Sequence, residues 1–266
     1  MSRERKGCSV RVSSDLLRGR FSCVLPLAIL SIVTGCVQNA PAPSSDQAVE
    51  LLRHLVGDES PEVRRTAVES LGKIGASSAV VSILPLLGDA SSSVRIAAAQ
   101  ALGRVGSSHE KETVAALARS LGDPAEAVRR AAALAIGEIE PTADQLKPVV
   151  MLAKDTPDAR IREAAVRALA QLDVARWEDD LIPILRDPDA AVRQAAVAAL
   201  GPSGGVKAAS ELQRQLAEDR SPSVRAEAVY QLGKLKGADV RRSLERAAAT
   251  DVHGDVRRWA EAELKS

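Results

Sequence analysis

The residues best equipped for chemistry are an aspartate and an arginine that return together along most of the chain. They stand as Asp58 with Val63-Arg64, Asp89 with Val94-Arg95, Asp123 with Val128-Arg129 and Asp155 with Ile161-Arg162. They continue as Asp187 with Val192-Arg193, Asp219 with Val224-Arg225 and Asp251 with Val256-Arg257. A carboxylate and a guanidinium can work as a base and an electrophile, or form charge-assisted hydrogen bonds. Three histidines, His54, His109 and His253, add imidazole, and only His109 has an adjacent acid, Glu110. Three thiols, Cys8, Cys23 and Cys36, all lie in the first 36 residues, so neither a disulfide framework nor a cysteine metal site is possible downstream. There is no phosphate-binding glycine loop with a following Lys, no serine elbow and no zinc-spaced His/Cys cluster.

The spacing of the Asp–Arg marks shows what positions them. Successive arginines are 31, 34, 33, 31, 32 and 32 residues apart. Three residues after each comes Ala67, Ala98, Ala132, Ala165, Ala196, Ala228 or Ala260, and seven after comes Leu71, Leu102, Ile136, Leu169, Leu200, Leu232 or Leu264. A fixed period of this size is the mark of stacked repeats. Apolar or small residues at offsets −1, +3, +4 and +7 from each arginine share one face of a helix. Each unit therefore holds two helices, the arginine lying on the second. Pro61, Pro124, Pro157, Pro188 and Pro222 mark the starts of second helices. Gly72, Gly103, Gly137, Gly201 and Gly233 mark their ends, where left-handed backbone is common. Pro85 and Pro183 should kink the first helices of their units. The expected fold is all-α, an α/α superhelix of about seven two-helix repeats over residues 46–266.

Composition agrees. Hydrophobic residues make up 45% and aromatics 2%, so the core must be Leu, Ile, Val and Ala. Without the first 35 residues, 30 basic and 33 acidic residues leave a net charge of −3, which argues against a nucleic-acid partner.

The N-terminus carries a different signal. Arg3, Arg5, Lys6, Arg11, Arg18 and Arg20 precede an apolar run from Phe21 to Val33. That run is shorter than the roughly 20 residues of a comfortable membrane span. Residues 1–35 read as a signal peptide. The run ends in Val33-Thr34-Gly35-Cys36, which resembles a bacterial lipobox. The resemblance implies that Cys36 is alkylated by diacylglycerol and becomes the mature N-terminus. Each buried methylene of such an anchor contributes about 0.8 kcal/mol. An uncleaved anchor, or cleavage near Ala40-Pro41-Ala42, are the alternatives. Residues 36–45 would form a lipidated tether, extended because they are rich in Pro, Ala and Ser. The implied location is the bacterial cell envelope, facing the periplasm, with either membrane open.

The Asp, the Val-Arg pair, the Ala and the Leu-Gly resemble the HEAT repeat in its short bacterial form, named after phycobilin-lyase-type repeats. Ankyrin and tetratricopeptide repeats share the period, but their Thr-Pro-Leu-His and Trp/Tyr signatures are missing. The resemblance implies that Asp58, Arg64, Asp89, Arg95, Asp123, Arg129, Asp187, Arg193, Asp219 and Arg225 form a structural ladder rather than a catalytic set. It also implies that second helices line the concave side. Residues there that face away from the buried stripe include Arg65, Ile96, Arg130, Leu134, Arg167, Tyr230 and Lys234, a candidate groove for a protein or peptide partner. Arg130 and Arg167 would be its carboxylate anchors. Trp177 and Trp259 read as packing or cap residues.

Two enzyme families share the repeat. The His109-Glu110 pair is similar to one His-Glu pair of deoxyhypusine hydroxylase, a di-iron enzyme that needs several such pairs. Phycobilin lyases act on a cytoplasmic partner. Neither ligand set nor compartment matches, so the expectation is a lipid-anchored interaction scaffold, not an enzyme, with no metal and no cofactor. A HEAT-superfamily enzyme or enzyme accessory, phycobilin-lyase-like or deoxyhypusine-hydroxylase-like, is the alternative.

Overall fold

A computed structural model describes residues 45–172, 176–235 and 237–265. The signal peptide, Cys36 and the tether up to residue 44 lie outside the described residues. Every regular element described is helical. The first helices of successive repeats are α1 (Ser45–Leu55), α3 (Val80–Ile83), α5 (Glu110–Ser120), α7 (Ala143–Asp155), α9 (Glu178–Leu181), α11 (Val206–Glu218) and α13 (Ala238–Thr250). The second helices are α2 (Pro61–Ile74), α4 (Ser92–Val105), α6 (Glu126–Ile139), α8 (Ala159–Leu169), α10 (Ala190–Leu200), α12 (Pro222–Gly233) and α14 (Gly254–Glu263). The architecture is an all-α solenoid.

Each second helix packs on the next, so α2, α4, α6, α8, α10, α12 and α14 form one unbroken row. Its seam is the apolar stripe. Val94, Val128, Val192 and Val224 are sealed from solvent, as are Leu71, Leu102, Ile136, Leu169, Leu200 and Leu232. The alanines three residues after each arginine are buried too, and their small side chains let neighbouring helices close up. Fully burying one such Leu contributes roughly 1.5–3 kcal/mol. A single helix pair has no second surface to cover this stripe, so stability comes from stacking.

Proline shapes the first helices of repeats two and five. α3 and α9 run for only four residues each before passing into 3₁₀ segments, Leu84–Gly88 and Ile182–Arg186. Pro85 and Pro183 stand second in those segments, where a residue without an N–H cannot extend the α ladder. At the second helices, Pro61 and Pro222 occupy the first helical position. Pro124, Pro157 and Pro188 lie just outside, one residue before the N-cap.

The repeat glycines do not end helices through left-handed backbone, contrary to expectation. Positive φ occurs instead at Gly75, Gly204 and Gly237, and at Glu140, among the described residues. Gly75 and Glu140 cap α2 and α6. Gly72 and Gly103 sit within right-handed helix where the next second helix passes close. A Cβ on Gly72 would lie 2.9 Å from Ala101 Cα, and one on Gly103 would lie 3.0 Å from Ala135 Cα. Glycine is required there for close approach, not for turning.

Candidate partner-binding cleft

In five of the repeats the arginine does two jobs. Arg64 Nη1 donates to the carbonyls of Asp58 at 2.8 Å and Glu59 at 3.0 Å, closing the loop that enters its own helix. Its Nε and Nη2 reach forward to the next loop and grip Asp89 Oδ2 and Oδ1 at 2.7 and 2.9 Å. Arg95 holds Asp123, Arg162 holds Asp187, Arg193 holds Asp219 and Arg225 holds Asp251 by the same fork. The carboxylate in turn accepts the amide two residues on, as in Asp89 Oδ1 from Ser91 N at 2.8 Å. The pairs are largely buried, so each bidentate bond fixes the offset between consecutive repeats.

This environment acts on the carboxyls. The Arg64 guanidinium, with the Ser91 amide, holds Asp89 below its ordinary pKa against the opposing effect of burial. Arg225 and the His253 amide do the same to Asp251. At Asp219, burial pushes upward most strongly, and Arg193 with the Ser221 amide outweighs it to leave the carboxyl lowered. Groups kept charged this firmly are poor proton donors at neutral pH; they are structural.

Two members of the expected ladder stand apart. Asp58 precedes Arg64, the first ladder arginine, and its carboxylate caps only its own loop, accepting from Ser60 N at 2.8 Å. Arg129 grips its loop through Nη1, but no carboxylate among the described residues fills its fork. The cause is register. The ladder aspartate stands six residues before its arginine, and in the fourth repeat that position is Thr156. Asp155 is one residue early, at the end of α7 and exposed. Arg162 and Asp251 are ladder members that the expectation omitted.

Residues of the second-helix row line a cleft with two chambers that share Gln194 and Glu227. One chamber, about 630 Å³, is charged and collects Arg129, Arg130, Leu134, Arg160, Glu163 and Arg167 from α6 and α8. Arg130 pairs with Glu126 at 2.5 Å and Arg167 with Glu163 at 2.7 Å, each one turn back on its own helix. The other chamber, about 650 Å³, is apolar, with Pro222, Ala226, Val229, Tyr230, Val256 and Trp259 in its wall. Leu134, Tyr230 and Trp259 are each about half exposed. Lys234 Nζ stands 3.8 Å from the centre of the Tyr230 ring, a cation–π contact at the edge of this chamber.

Of the seven expected groove residues, the cleft unites Arg130, Leu134, Arg167 and Tyr230. Arg65 lies outside it, paired with Glu69 at 2.6 Å, and Ile96 is partly buried against the core. Trp259, expected as a packing or cap residue, belongs to the cleft wall; its place on the last second helix is the available signal. Trp177 is buried beside α9.

The histidines are dispersed. His109 Nδ1 meets Ser108 Oγ at 3.1 Å just before α5, while His54 and His253 lie near Glu50 and Asp255. Among the described residues, no group of three or more His, Cys, Asp or Glu could hold a metal ion.

The sequence profile described as HEAT repeats matches residues 35–87, 80–170 and 178–265. The chain belongs to the HEAT-repeat family. No curated protein matches it significantly. Among solved structures, the repeats resemble Kap95p from its complex with RanGDP, at 13% identity and TM-score 0.61, covering 81% of this chain and 35% of that one. The YibA protein of Escherichia coli gives 20% identity and TM-score 0.51, covering 86% and 89%. The CpcE–CpcF phycocyanin lyase of a Nostoc species gives 21% identity and TM-score 0.42, covering 86% and 96%. At these identities the likeness is one of fold. Among the described residues no helix is long and apolar enough to cross a membrane.

Proposed function

We propose that this HEAT-repeat protein is a lipid-anchored scaffold of the bacterial cell envelope, facing the periplasm, that binds another protein or a peptide along its second helices. The observation that carries the reading is the cleft. Successive second helices place exposed Leu134, Tyr230 and Trp259 beside self-paired charges, in two joined chambers that a side chain or short segment would fill. Half-exposed aromatics beside polar walls are the usual anchors of such contacts. The ladder, by contrast, spends its charges on the fold.

Capture from a solubilised membrane fraction tests the scaffold. A partner should be enriched by the wild-type chain and lost when Arg130, Leu134 and Tyr230 are all changed to Ala. Equal capture by both removes the cleft from the reading. Anchoring is tested separately: Cys36→Ala should move the protein from the membrane fraction to the soluble one, and unchanged retention would count against lipidation.

A further inference from the structure

Six of the seven loops that lead into a second helix carry the ladder aspartate: Asp58, Asp89, Asp123, Asp187, Asp219 and Asp251. Each accepts the amide two residues on at 2.8 Å. Five of them also fill the fork of the preceding arginine. The fourth loop has Thr156, and two sets of donors are left over. Arg129 Nε and Nη2 have no carboxylate, and the amide of Asp158, two residues after Thr156, has no acceptor among the described residues.

The guanidinium is nevertheless held in place. Arg129 Nη1 bonds the carbonyls of Asp123 at 2.8 Å and Pro124 at 3.1 Å, the grip seen in the intact steps. Arg129 is partly exposed and lines the charged chamber. The nearby acids are committed elsewhere. Glu126 and Glu163 pair with Arg130 and Arg167. Asp158 caps α8 through Arg160 N at 2.9 Å and pairs with the Arg160 guanidinium at 2.7 Å; Arg129 adds only a weaker, longer-range attraction to it and no bond.

We propose that this open step is a carboxylate-binding site: an Asp or Glu side chain of a partner polypeptide docks on Arg129 and the Asp158 amide, supplying from outside the contact that the other steps make internally. The inference rests on the scaffold reading and sharpens it, because it moves the anionic anchor from Arg130 and Arg167, which are self-paired, to Arg129. The chain itself shows which anion this fork accepts. The same fork, with the same Nη1 brace, accepts a carboxylate in five other places in the chain. A bidentate guanidinium–carboxylate bond in a partly enclosed chamber changes affinity by about tenfold or more.

The experiment uses the full chain with arginine side-chain NMR. The Arg129 Nε–H signal is assigned by its loss in Arg129→Lys. The probe is an acetylated, amidated pentapeptide with Asp flanked by glycines, and the control has Asn in its place. The signal should shift saturably with the Asp peptide and stay still with the Asn peptide. In Thr156→Asp, which restores the internal carboxylate, it should start near the signals of the paired ladder arginines and no longer respond. A static wild-type signal, an equal response to the Asn peptide, or an undiminished response in Thr156→Asp overturns the site. Should Thr156→Asp fail to fold, Arg129→Lys decides by peptide affinity, which should fall about tenfold; an unchanged affinity overturns the site. A captured partner indifferent to Thr156→Asp would remove this site and leave the scaffold; peptide binding without any captured partner would do the reverse.

Discussion

Arg193 Nε lies 2.7 Å from Asp219 Oδ2, and both side chains are about 95% excluded from solvent, at 5% and 4% exposure. The two residues belong to consecutive repeats, so this is a bond between units rather than within one. Removing one partner strands the other charge in a dry place. Asp219→Ala should therefore lower the unfolding free energy by about 3 kcal/mol. Asp58→Ala, where no guanidinium bonds the carboxylate, should cost about 1 kcal/mol or less for the lost loop cap. Urea unfolding of the two variants checks the contrast; equal losses would mean that the inter-repeat fork adds little.

Acid should act through the same bonds. The folded pKa values of Asp89, Asp123, Asp219 and Asp251 are lowered. A carboxyl with a depressed folded pKa contributes stability that is complete above its unfolded value, about 3.9, and is lost as pH falls through the folded value. The melting temperature should hold steady from neutral pH down to about 5 and drop below about 4. Asp89→Asn should start lower and fall less steeply, as measured by circular dichroism melts across pH.

Gly72→Ala would ordinarily strengthen a helix interior by about 1 kcal/mol. Here the added methyl meets the Ala101 backbone at 2.9 Å, so the change should destabilise by about 1–2 kcal/mol. Pairing it with Ala101→Gly should recover part of the loss, because the contacting Ala101 methyl is removed. Denaturant midpoints of the two single variants and the double variant test this.

The two tryptophans should report different surroundings. Trp177 is 6% exposed and Trp259 53% exposed. Acrylamide should quench only part of the fluorescence readily, and Trp259→Phe should remove that part. Occupation of the apolar chamber should protect the Trp259 component and shift its emission to the blue.

Most of the fold was legible because the repeat writes the same physics seven times. The arginine register, the apolar stripe and the proline breaks at Pro85 and Pro183 follow from spacing and backbone chemistry. The direction of the arginine's reach was not legible, since Arg64 is nearer in sequence to Asp58 than to Asp89, which it holds. The open fourth step was legible in part: the sequence shows one extra residue between Asp155 and Arg162, and the structure adds that this leaves the Arg129 fork without a carboxylate among the described residues. The glycines misled because a helix end and a close crossing both favour glycine. In the cleft, Leu134 and Tyr230 were readable from helical offset, whereas Trp259, expected to pack or cap, was not.

Because all five paired arginines reach toward the C-terminus, the ladder has a polarity. Arg129 and Arg257 show that an arginine with no acid ahead still holds its own loop, with Nη1 on Asp123 O at 2.8 Å and on Asp251 O at 2.6 Å. An aspartate deprived of the arginine behind it keeps only a loop amide, as Asp58 does. Deleting whole repeats from the C-terminal side leaves a braced cation at the new boundary. Deleting them from the N-terminal side leaves a bare anion. Shortening this array from one end is therefore not the mirror image of shortening it from the other.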